Sequence, residues 1–202
     1  MKLLAEFKKK DFWTIPNILC YIRILLIPFF VIMYINAESS RDYLRAASVI
    51  VLSGITDFLD GFIARKFNMI TELGKLIDPI ADKLTQAALI FVLVVKIKWM
   101  YLLLILFVIL QLFLVIAGLA MLKKDKRLDG SKWFGKVSTT VFYAVMIALI
   151  AFPRLHTNVV LVNSLMLICG LFLALSLILY IREYLFMYQE TETDIQEEIK
   201  TG

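Results

Sequence analysis

Four aspartates, Asp57, Asp60, Asp78 and Asp82, punctuate residues 56–83, TDFLDGFIARKFNMITELGKLIDPIADK. The first two are three residues apart and the last two are four apart. On helices those spacings put each pair on one face. Carboxylates gathered in a low-dielectric pocket repel one another and each is costly to desolvate, so they protonate or bind cations. Aspartate oxygens suit hard divalent ions, Mg2+ or Mn2+. The one histidine, His156, is far along the chain, which argues against a zinc site of nitrogen and sulfur ligands. The competing assignment leaves the aspartates solvated, or paired with Arg65, Lys66, Lys75 and Lys83. Gly61, Ala64 and Gly74 clear space beside the carboxylates, as a ligand or a close helix neighbour would require. Arg65 adds a planar cation matched to phosphate oxygens. Two metal ions, an arginine and an open cleft are what a diphosphate needs, the logic of metal-assisted phosphoryl transfer.

Apolar helices must position these groups. The chain of 202 residues is 61% hydrophobic, with a mean hydropathy of +0.83, and several apolar runs approach or reach the ~20 residues that span a bilayer. A soluble domain is excluded on that ground. Six spans are expected, at about 16–36, 43–63, 75–96, 99–122, 134–152 and 158–182. The runs are continuous rather than alternating, and spanning segments must satisfy their own backbone groups, so they are helices. The expected fold is an all-α integral membrane protein of six transmembrane helices, preceded by an N-terminal amphipathic juxtamembrane helix, with a basic leader that only sets topology as the equal alternative for that first segment. Residues 1–14 form that amphipathic cytoplasmic segment, 15–185 the membrane domain and 186–202 an acidic cytoplasmic tail.

With six spans, one side of the membrane collects Lys2, Lys8, Lys9, Lys10, Arg65, Lys66, Lys123, Lys124, Lys126, Arg127, Lys132 and Arg182; the other collects Arg41, Arg45, Lys96, Lys98 and Arg154. The basic side is cytoplasmic. Both termini and the aspartate stretch are therefore expected there, with spans two and three as antiparallel neighbours joined by a linker from about 62 to 74. No cleavable signal peptide is expected, because MKLLAEFKKK is not followed by a short apolar core and cleavage site. Cys20 and Cys169 lie inside apolar runs and suggest no disulfide framework. The net charge of +5 fits a cytoplasmic face, so no nucleic-acid partner is expected.

The pattern D57-x2-D60-G61-x2-A64-R65-x8-G74-x3-D78-x3-D82 resembles, position by position, the signature of the CDP-alcohol phosphotransferase family. The resemblance extends to six spans, a basic amphipathic start and cytoplasmic termini. It implies transfer of a substituted phosphate from a CDP-linked donor to an alcohol, with release of CMP. By the same resemblance, Asp57, Asp60 and Asp78 are ligands of a pair of Mg2+ or Mn2+ ions, with Asp82 a partial ligand. Asp82 is also the catalytic general base that deprotonates the acceptor. Thr56, Asp57, Gly61, Ala64, Arg65 and Gly74 are the implied CDP-binding positions. A homodimer is implied as well.

IPNILCYIRILLIPFF (15–30) and GKVSTT (135–140) resemble the branch containing bacterial phosphatidylglycerophosphate synthases and eukaryotic-type cardiolipin synthases. CDP-diacylglycerol and glycerol 3-phosphate are the implied substrates, in phospholipid biosynthesis at a bacterial inner or plasma membrane. Phosphatidylglycerol, inositol phosphate or serine are the alternative acceptors, and a divalent-cation transporter is the alternative of a different class. Arg23, Lys132 and Lys136 are candidate acceptor-phosphate contacts; Arg23 is equally a candidate partner for a motif aspartate, and both lysines fit ordinary positive-inside charge. In that branch an Arg-Glu pair usually stands in the fourth span, where this chain reads FVILQLFLVIAG with Gln111.

Overall fold

A computed structural model describes residues 11–122 and 132–201, with side chains described for most of these positions up to 189. The first ten residues, expected to be amphipathic, lie outside the described residues, as do the basic residues at 123–127. All regular structure among the described residues is helical. The long helices are α1 (Ile15–Ile35), α2 (Ser40–Lys66), α3 (Glu72–Val94), α4 (Met100–Leu122), α5 (Trp133–Ala151) and α6 (Val159–Thr201). Five of them, all but α3, are long and apolar enough to cross a membrane. α3 misses that standard because it carries Lys75, Asp78, Asp82 and Lys83 in its first half.

The described residues form two compact units. The first holds those up to Lys98 together with Met146–Asn158, and the second holds Trp99–Val145 and Val159 onward. In the first unit α1 packs against both α2 and α3. α2 and α3 come together at their aspartates, where Asp57, Asp78 and Asp82 offer oxygens within 4.8 Å of one another, while most of the packing of both helices is against α1. α1 stands between their functional faces, and its buried residues Asn17, Cys20 and Arg23 explain why. In the second unit α4 packs on α6.

Local sequence sets the helix ends near the aspartates. α2 opens with a capping box, in which the Asp42 backbone amide donates to Ser39 Oγ and the Ser39 amide donates to Asp42 Oδ2. It runs through Arg65 and Lys66, cations that complement a helix C-terminus. Asn68 then adopts φ 52°, and the Met69 amide donates back to the Ala64 carbonyl at 2.9 Å. That is a Schellman closure with asparagine in the left-handed position. Thr71 caps α3 through a 2.9 Å bond from the Gly74 amide. The connection is thus only residues 67–71, shorter than the 62–74 expected, because helix and caps absorb both flanks.

α6 contains 43 residues, about 64 Å at ~1.5 Å per residue, roughly twice a bilayer's hydrocarbon core. The helix continues through the acidic residues 186–201.

Candidate active site

The Arg23 guanidinium is the centre of the aspartate cluster. Nη1 donates to Asp78 Oδ1 and Asp82 Oδ1, each at 3.0 Å. Nη2 lies 2.7 Å from Asp57 Oδ1 and also donates to Asp60 Oδ2. Four carboxylates from α2 and α3 therefore meet one cation from α1. Sequence placed the two pairs on helix faces, and the fold brings all four together around a residue that was equally a candidate for the acceptor phosphate.

The cluster has a buried pole and an open one. The side chains of Arg23 and Asp60 are 2% and 5% exposed, whereas Asp57, Asp78 and Asp82 are 45%, 47% and 40% exposed. Cys20 Sγ also donates to Asp60 Oδ2, at 3.3 Å. Both contacts to Asp60 fall on one oxygen, which leaves Oδ1 for another partner. Asp57, Asp78 and Asp82 each offer an oxygen within 4.8 Å of the others, and Cys20, Asp60 and Asp78 form a second such group. An all-oxygen set with three half-open carboxylates fits a hard divalent ion.

Beside this cluster lies a cavity of about 250 Å³. Gly61, Ala64, Arg65 and Gly74 line it, as do Asp60 and Asp78. Its remaining wall includes Asn17, Cys20, Met69, Ile70, Thr71 and Lys75. Four positions singled out for room and phosphate affinity thus share one concavity with two of the aspartates. Thr56 is not part of that lining; it is buried and its hydroxyl donates to the Ser53 carbonyl at 2.7 Å.

The two glycines differ in what surrounds them. A Cβ on Gly61 would meet only the Arg65 guanidinium, at 3.3 Å, the mobile end of a long side chain. A Cβ on Gly74 would sit 2.6 Å from Asn17 Oδ1 and 3.0 Å from Thr71 Oγ1. Asn17 is buried and its Nδ2 donates to Thr71 Oγ1 at 3.0 Å. Gly74 is therefore demanded by the close approach of α1 to the capped end of α3. Sequence reasoning passed over Asn17 and read Cys20 only as a residue of an apolar run. Their signal was a repeat of polar or small residues at 17, 20 and 23 within an apolar helix. That spacing covers about 120° of helix circumference at ~100° per residue.

Lys132 and Lys136 belong to the second unit. Lys132 Nζ lies 2.6 Å from Glu183 Oε1, and Lys136 is exposed at the first turn of α5.

A family model described as CDP-alcohol phosphatidyltransferase matches residues 13–181. The chain belongs to the CDP-alcohol phosphatidyltransferase family. Five helices of spanning length, taken with this membership, mark an integral membrane protein. A protein of Pseudomonas fluorescens named CDP-diacylglycerol–glycerol-3-phosphate 3-phosphatidyltransferase is 30% identical over 192 residues, covering 93% of this chain and 96% of its own. A protein of the same name from Rickettsia bellii is 46% identical over 84 residues, 41% of this chain. That match spans 45% of the Rickettsia protein's length. The Escherichia coli K12 protein of that name is 37% identical over 75 residues, covering 37% of this chain and 41% of its own.

Proposed function

We propose that this chain is a phosphatidyltransferase of phospholipid biosynthesis. It moves the phosphatidyl group of CDP-diacylglycerol to glycerol 3-phosphate, giving phosphatidylglycerophosphate and CMP. The observation that carries this reading is the convergence of Asp57, Asp60, Asp78 and Asp82 beside a cavity walled by Gly61, Ala64, Arg65 and Gly74. The names of the relatives support the choice of donor and acceptor.

In this mechanism Asp57, Asp60, Asp78 and Asp82 would hold a pair of Mg2+ or Mn2+ ions. When bound, such ions neutralise the diphosphate and the charge that develops on departing CMP. Arg65 binds diphosphate oxygens from the cavity wall, and Gly61 and Ala64 let the nucleotide approach the α2 backbone. The acceptor hydroxyl oxygen attacks the phosphorus that bears the diacylglycerol. The bond from that phosphorus to the oxygen shared with CMP breaks. Asp82, on the open side of the cluster, takes the hydroxyl proton.

The lipid donor explains the setting. All six helices are assigned as spans, α3 included, with both termini and the aspartates at the cytoplasmic face of a bacterial inner membrane. Large apolar side chains such as Leu25, Ile116 and Val160, 70%, 65% and 76% exposed, are the surface a bilayer would cover. Exposed Trp13, Trp99 and Trp133 beside the starts of α1, α4 and α5 suit the headgroup boundary. The donor's acyl chains then remain in lipid while its headgroup enters the cavity. Residues 15–185 form the membrane domain, and the chain works as a homodimer.

The deciding experiment measures CMP release from CDP-diacylglycerol by the purified chain with glycerol 3-phosphate, phosphatidylglycerol, inositol phosphate or serine, with and without Mg2+ or Mn2+. Metal-dependent release with glycerol 3-phosphate is expected. Release only with phosphatidylglycerol would make it a cardiolipin synthase, and no release with any acceptor would sink the transferase reading.

A further inference from the structure

Arg23 has one partnership that catalysis by the aspartates does not require. Its two terminal nitrogens reach all four carboxylates, and its side chain is 2% exposed. Its Nε, also buried, makes no hydrogen bond. The guanidinium is therefore held by the aspartates and by no wider polar network. Asp57, Asp78 and Asp82 supply the three oxygens within 4.8 Å of one another that best suit an ion. Oxygens of the same three carboxylates lie 2.7–3.0 Å from Arg23. A divalent ion draws carboxylate oxygens to roughly 2.0–2.6 Å. A guanidinium and such an ion, both drawn up to these three carboxylates, stand close enough to repel, so each weakens the other's hold.

Burial decides which cation takes which carboxylate. Arg23 stands at the closed pole with Asp60, whereas the other three carboxylates face outward. An ion arrives from the open side. We propose that Arg23 is a built-in counter-cation: it holds the four carboxylates together in metal-free protein, and it yields Asp57, Asp78 and Asp82 to divalent ions while retaining Asp60. It is a positioning residue with an antagonistic link to metal binding. The inference rests on the assignment of the aspartates as metal ligands made above.

The test uses the full chain in detergent, with Mn2+ titrated and free Mn2+ followed by electron paramagnetic resonance, for wild type, Arg23→Gln and Arg23→Lys. Removing the competing charge should tighten Mn2+ binding at least about tenfold in Arg23→Gln. Arg23→Lys, whose single ammonium reaches fewer carboxylates, should tighten it by a smaller factor. In EDTA, Arg23→Gln should melt below wild type, and saturating Mn2+ should close most of that gap. Equal or weaker Mn2+ binding in the variants would overturn the proposal and leave Arg23 a plain structural ion pair. Should Arg23→Gln fail to fold, the Mn2+ affinity of Arg23→Lys decides between the same two outcomes. Wild-type protein that binds no Mn2+ would overturn the metal assignment and this proposal together. Absent phosphatidyl transfer with Mn2+ linkage intact would sink only the proposed activity.

Discussion

Asn17 of α1 occupies the space where a side chain on Gly74 of α3 would begin: its Oδ1 is 2.6 Å from the position of a Cβ there. The contact joins the first turns of two helices that carry the cavity's wall. Gly74→Ala should therefore lower stability by about 1–3 kcal/mol through overpacking. Asn17→Ala should recover part of that loss when combined with it, by emptying the space. Thermal unfolding in detergent of the two single variants and the double variant measures the coupling. A double variant no more stable than additivity requires would return Gly74 to a role in admitting substrate only.

Thr71 bonds both partners of that contact, accepting from Asn17 Nδ2 at 3.0 Å and from the Gly74 amide at 2.9 Å. Thr71→Ala should cost about 1 kcal/mol as a lost helix cap. Because Thr71 lines the cavity, the variant should also raise the Michaelis constant for CDP-diacylglycerol. Thr71→Ser keeps the hydroxyl and should restore both, which steady-state kinetics and melting curves would report.

Asp82→Asn keeps the size of the side chain and removes its basicity. Donor binding should persist, while turnover falls by about two orders of magnitude or more. Calorimetric titration with a CDP-lipid, alongside the CMP-release assay, separates the two effects. Near-wild-type turnover would remove Asp82 from the role of base.

Much of this protein was legible without coordinates. Runs of spanning length leave a chain in lipid little choice but helix, and the observed helices lie where those runs lie. The aspartates, Gly61, Ala64, Arg65 and Gly74 stood out because spacing along a helix is a purely local property, and charge beside lipid is conspicuous. The end of α2 was less legible. Asn68 in a left-handed turn and Thr71 as a cap act through backbone hydrogen bonds that hydropathy does not register. Sequence by itself determined the helical class, the set of chemical groups and the face on which each pair sits. It left Arg23 with several partners, because a buried charge demands a counter-charge without specifying which one. Only the tertiary structure decided that α1 comes between α2 and α3 and delivers one guanidinium to four carboxylates. The physical reason is that partner choice is non-local. It depends on which helices pack, and here that is governed by small contacts such as Asn17 against Gly74, far apart in sequence and close in space.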